Sequence, residues 1–135
     1  MSLDKGGSIK KFSNLLVVNA VVALVYGIGL VLLPSTILSI YGVTPGPAVN
    51  LASQLFGAAL MHVGLVCWFA RNVSDSPAQR AIIIASLIGQ VIGLVVSLMG
   101  TLSGVFNVMG WSAVAIYLVL SLGYAYLQFM KPSHS

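Results

Sequence analysis

The chain has 135 residues, enough for one ordinary domain, yet 59% of them are hydrophobic, only 6% are charged, and the mean hydropathy is +1.04. A soluble domain carries about 25% charged residues; with so few, this chain cannot clothe its surface for water, and the solvent for most of it must be lipid. The formal charge of +4 arises from six basic against two acidic residues, all outside the apolar runs, which turns the basic excess away from nucleic acid and toward membrane orientation.

The N-terminal stretch MSLDKGGSIKKF is basic and leads into an apolar run. That run is too long for a signal-peptide core and lacks a small-residue cleavage site, so it reads as a retained first span. A bilayer core needs about 20 apolar residues in a helix. Four segments supply them, at 15–33, 49–70, 81–102 and 108–129. Pro34 stops the first, and Ser35–Tyr41 reads as a short helix lying in the interface with Gly42 as its stop. Pro45 and Pro47 flank a glycine turn, and Asp75, Ser76 and Pro77 can open the third span.

All six basic residues fall on one side of this arrangement: Lys5, Lys10 and Lys11 before span one, Arg71 and Arg80 around the second loop, and Lys131 after span four. The positive-inside rule then places both termini and the 71–80 loop in the cytoplasm. Trp68 and Phe69, Trp111, and Tyr126 with Phe129 occupy interfacial positions at span ends.

Projection at about 100° per residue gives each span a small, polar seam. Span one contributes Asn19, Ala23 and Tyr26; span two contributes Asn50, Ser53, Gln54, Gly57, Met61 and Gly64. Span three contributes Ser86, Gly89, Gln90, Gly93, Ser97, Gly100 and Gly104, and span four Gly110, Ala113, Tyr117, Ser121, Tyr124 and Gln128. Small residues let helix backbones approach closely in lipid, and Ser, Asn and Gln can bond across the contact. Gly57, Gly64, Gly89, Gly93, Gly100 and Gly104 are therefore the expected helix-packing positions. The predicted fold is all-α: a four-helix transmembrane bundle, up-down-up-down, in which sequential helices are antiparallel neighbours. The tetrapeptide IGLV at 28–31 and again at 92–95 raises an internal repeat of two parallel hairpins.

Chemistry is sparse. No Asp, Glu, Lys or Arg lies within a span, whereas proton- or cation-coupled transport usually places a carboxylate there. The single cysteine, Cys67, excludes an internal disulfide or a CxxC pair. His62 stands off the seam of span two. It reads either as a neutral side chain hydrogen-bonded between helices or, as a sharper alternative, as a haem ligand or proton relay. Tyr26, Gln54, His62, Gln90, Tyr117, Ser121 and Tyr124 are the candidate ligand-binding residues, set against the plainer account of interhelical bonding. No other cofactor and no metal are expected.

The segment LVLLPSTILSIYGVTPGPAVNLASQLFGAALMHVGLVCWFAR resembles small bacterial four-span membrane proteins of unknown function, loosely DoxX-like. The shared pattern is an apolar span, Pro34, the short helix with Leu38, Tyr41 and Gly42, then a glycine-rich span with Gly57 and Gly64 ending in Arg71. Members often carry an arginine early in the second span, where Ser53 or Gln54 stands here. The resemblance implies a bacterial cytoplasmic membrane and the four-helix architecture, and it transfers no activity.

Three functions follow as expectations. The first is a non-enzymatic accessory or assembly subunit that binds itself or a larger membrane complex. The second is a small-molecule carrier or channel using the polar seam, and the third is a haem or redox protein through His62. A bundle interior packed shut favours the first; a continuous polar cavity favours the second.

Overall fold

A computed structural model of the chain describes residues 2–130, with side chains over 10–129. Lys131 and the side chain of Lys5, both used in the orientation argument, lie outside the described residues. The elements are α1 (Ser2–Leu32), α2 (Pro34–Ile40), α3 (Pro47–Ala70), α4 (Ser76–Leu102) and α5 (Gly110–Ala125), the last running into a π-helical turn at Tyr126–Met130. Four segments are long and apolar enough to cross a membrane: Lys10–Leu32, Pro47–Ala70, Ser76–Leu102 and Gly110–Phe129. The protein is an all-α, four-helix integral membrane bundle.

The punctuation follows the sequence. Pro34 and Pro47 stand at the first positions of α2 and α3, where a missing N–H leaves no bond unmade. Asp75 caps α4, its Oδ2 accepting from the Ala78 N–H at 3.1 Å. Gly42 ends α2 with φ +76, and its N–H donates to the Ser39 carbonyl at 3.0 Å. Val25, Leu55, Phe69, Val96 and Val119 are exposed on the outer faces, as lipid-facing side chains should be.

Two close helix pairs make the bundle, α1 against α3 and α4 against α5. The first pair is a backbone contact. A Cβ added at Gly27 would lie 2.7 Å from the Gly57 carbonyl oxygen, and one at Gly57 would lie 2.8 Å from the Gly27 carbonyl oxygen. Gly64 meets Leu24 and the Ala20 carbonyl in the same seam. In the second pair, Gly93 lies under the Tyr117 ring and Gly110 against Thr101 and Phe106.

Three expectations are corrected. Although consecutive in the chain, α3 and α4 do not pack closely together. The α3 glycines turn to α1, leaving bulky Phe56, Leu60 and Val63 opposite Ile92 and Val96. Gly89 and Gly104 are not packing positions either: a Cβ at either would meet nothing within 4 Å. Gly104 instead has φ +85 and makes the turn after α4, a conformation that favours glycine. The IGLV match does not mark equivalent positions, since Gly29 lies beside Ile37 of α2 and Gly93 beside Tyr117 of α5.

Candidate functional site

The two pairs are tied together at both ends and part between them. At the end that carries the termini, Phe12, Leu16 and Ala20 of α1, Cys67 of α3, Ile83 of α4, and Tyr124 and Leu127 from the α5 side form one buried core. Beside it, the Asn19 side-chain amide donates to the Tyr124 hydroxyl at 2.7 Å, both groups buried. Lys11 Nζ donates to the Tyr126 hydroxyl at 2.9 Å on the same side.

The opposite end is closed by a latch between α2 and the α4–α5 loop. Asn107 donates its side-chain amide to the Ile40 carbonyl at 3.2 Å and its backbone N–H to the Tyr41 carbonyl at 2.9 Å. The Tyr41 ring meets Phe106 edge-on, with centroids 5.4 Å apart. Its hydroxyl joins the hydroxyl of Tyr26 at 3.0 Å and that of Ser112 at 3.2 Å, so α1, α2 and α5 share one hydrogen-bonded knot.

Between the core and the latch lies a cavity of about 960 Å³. Its wall is mostly apolar, with Val22, Phe56, Leu60, Val96 and Leu120 prominent. Polar groups are few: Asn19, Tyr26, Tyr41, Ser53, His62, Ser86, Gln90, Ser97 and Tyr117. No Asp, Glu, Lys or Arg lines it. The wall runs from buried Asn19 and Gln90 to half-exposed Val63 and Val66 on α3 and Ile92 and Val96 on α4, so the space opens sideways between those helices.

Of the seven candidate binding residues, Tyr26, His62, Gln90 and Tyr117 line this cavity. Gln54 does not: it donates to the Val31 carbonyl at 3.0 Å and stitches α3 to α1. Tyr124 lies in the closed core, and Ser121 is buried beside the α4 contact without lining the space. His62 is exposed at the rim and makes no hydrogen bond within the described residues, so it is not the interhelical bonding group expected of it. Met61, the adjacent candidate for a second axial haem ligand, is turned against Gly27 of α1. Among the described residues no three of His, Cys, Asp and Glu gather into a metal site.

Two polar atoms stand out. Gln90 Oε1 and Ser121 Oγ are fully buried and have no hydrogen-bond partner among the described residues. Sequence reasoning missed Tyr41, Phe106, Asn107 and Ser112 as the closure of the cavity. The LSIYG stretch was read as an interfacial helix, and its tyrosine turns inward.

The Asn19–Tyr124 pair sets a stability expectation. Tyr124→Phe leaves a buried amide unpaired and should lower stability by about 1 kcal/mol, near the range of such pairs in membranes. Adding Asn19→Leu should restore most of the loss, as read by denaturant titration in detergent.

Fold and cavity together define a small four-span membrane protein with a hollow, laterally open bundle. Residues 3–129 match the model of the family described as Domain of unknown function (DUF8292), and the chain belongs to that family. No curated protein and no solved structure matches the chain. The family brings no activity with it, and the DoxX-like resemblance gains no support from these matches.

Proposed function

We propose that the protein is a non-enzymatic binding or carrier protein for a neutral, lipid-soluble small molecule held in the mid-membrane cavity. The hollow interior carries this reading. Ligand sites run to roughly 300–1,000 Å³ and are mostly apolar with a few placed polar groups. The cavity has that character at about 960 Å³. Its wall offers no Asp, Glu, Lys or Arg to pair with an ionised ligand, and burying an unpaired charge is costly. The core at one end and the Tyr41 latch at the other argue against a continuous aqueous pore. The lateral opening suits a molecule that partitions from lipid.

The accessory-subunit reading keeps one supporting observation, the same open face between α3 and α4, where a partner's helix could lie. For orientation, the basic residues favour cytoplasmic termini; the setting in a bacterial cytoplasmic membrane rests on the resemblance alone.

Gly89 supplies the test. It lines the cavity, and a Cβ added there meets nothing within 4 Å. Gly89→Leu should fill the space without disturbing the helices. Neutral lipid co-purifying with the protein, measured by mass spectrometry of the extracted sample, should fall severalfold relative to wild type. Equal recovery from both proteins would count against the cavity. Stoichiometric cross-linking of another membrane protein to Val63 or Ile92 would favour the subunit reading.

A further inference from the structure

Gln90 is 9% exposed, lines the cavity, and holds its Oε1 fully buried with no partner. It sits in the middle of α4, fourteen residues after Ser76 and twelve before Leu102. At 1.5 Å rise per residue that is about 20 Å from either helix end, far below the headgroup level. In the antiparallel register set by Gly93 against Tyr117 and Gly110 against Thr101, Ser121 stands level with Gln90 on the facing helix. Its hydroxyl oxygen is the other buried atom without a partner. Both unmet groups therefore occur at one depth, Gln90 lining a mostly apolar space and Ser121 buried outside its lining.

We propose that Gln90 is the ligand-recognition residue, and that the ligand is a long-chain or polycyclic alcohol whose hydroxyl donates to Gln90 Oε1 once a turn of the side-chain amide brings that buried oxygen to the cavity. This rests on the cavity reading above and makes it specific. An orphaned acceptor selects for a donor. A ketone, ester or ether of the same shape can accept from Gln90 Nε2 but leaves Oε1 unmet, whereas a hydroxyl supplies the donor that Oε1 lacks. A phospholipid is disfavoured on different grounds: its charged headgroup would have to sit at mid-membrane, in a cavity lined by no Asp, Glu, Lys or Arg. The hydroxyl of a neutral alcohol can be carried to that depth, while its hydrocarbon body fills the apolar wall and leaves between α3 and α4.

The test uses the full chain in lipid nanodiscs with two photoreactive probes, a diazirine-bearing hexadecanol and its methyl ether. In wild type the alcohol should label cavity residues about tenfold more efficiently than the ether at limiting probe, the usual consequence of a buried hydrogen bond left unmade. Gln90→Leu should label equally with both, at the level of the ether in wild type. Gln90→Met, closer in shape, should behave as Gln90→Leu does. Equal labelling of wild type by the two probes, with both signals lost in Gly89→Leu, would overturn the role of Gln90 and leave the cavity reading standing. No cavity labelling above the Gly89→Leu background by either probe would overturn both.

Discussion

Gln90→Leu should make the ligand-free protein more stable, by about 1 kcal/mol, even though it removes a side chain from the middle of the candidate site. The sign follows from the unmet Oε1. A buried acceptor without a donor lowers stability, and a leucine of similar volume removes that cost while keeping contact with the apolar wall. The effect is moderated because the helix separated in lipid also lacks water for its glutamine. Ligand should close the gap. At one hundred times its Kd, an alcohol stabilises wild type by about 2.7 kcal/mol. A tenfold weaker Kd in the variant yields about 1.4 kcal/mol at the same concentration. Thermal unfolding in nanodiscs, with and without added hexadecanol, reads both numbers. A Gln90→Leu protein less stable than wild type without ligand would show that the amide is satisfied in the membrane, and that it holds the bundle together rather than waiting for a partner.

Such a trade of stability for recognition is the ordinary signature of a binding site, since sites carry groups that the fold alone would not choose. It also explains which parts of this protein could be read from its residues. Spans, helix stops and the α3 glycines follow from local rules: twenty apolar residues, a proline at a first turn, a glycine at positive φ, small residues in a row. Gly57 and Gly64 were legible for that reason, and Gly27 was not. Helix α1 carries two stripes of small or polar residues, Ala20 with Gly27 and Asn19 with Ala23 and Tyr26, on neighbouring faces. Periodicity finds both and cannot say which one meets a helix and which one meets a cavity. The structure gives the first to α3 and the second to the hollow and its closures. Likewise Gln54 and Gln90 are the same residue type on comparable seams. One finds the Val31 carbonyl and the other finds nothing, a difference that depends on helix rotation rather than on sequence. The latch was the least legible part. Asn107 sits in the seven-residue loop between α4 and α5, and its partners, Ile40 and Tyr41, are more than sixty residues away. No local signal marks a contact of that range.

Gly57→Val should be among the most damaging single substitutions in the chain, costing about 3 kcal/mol, because the neighbour it strikes is backbone. A Cβ at this position comes 2.8 Å from the Gly27 carbonyl oxygen and 2.9 Å from Leu30 Cβ, before either methyl of the valine is placed. Helix α1 cannot yield by rotating a side chain; the two helices must separate, and the contacts of Gly64 with Leu24 and Ala20 weaken with them. Gly57→Ala should cost less, about 1–2 kcal/mol, and Gly27→Ala a similar amount. The double alanine variant should fall short of the sum by at least about 0.5 kcal/mol, since the separation that admits one methyl admits the other. Gly89→Ala provides the contrast: it meets open space and should be neutral or stabilising, by up to about 1 kcal/mol, through helix propensity alone. Denaturant titrations of these five variants measure the tightness of the α1–α3 crossing directly, with Gly89→Ala as the control. Additive losses at Gly27 and Gly57 would mean that the helices do not meet there, and the rotation of α1 that turns Asn19 and Tyr26 toward the cavity would fall with them.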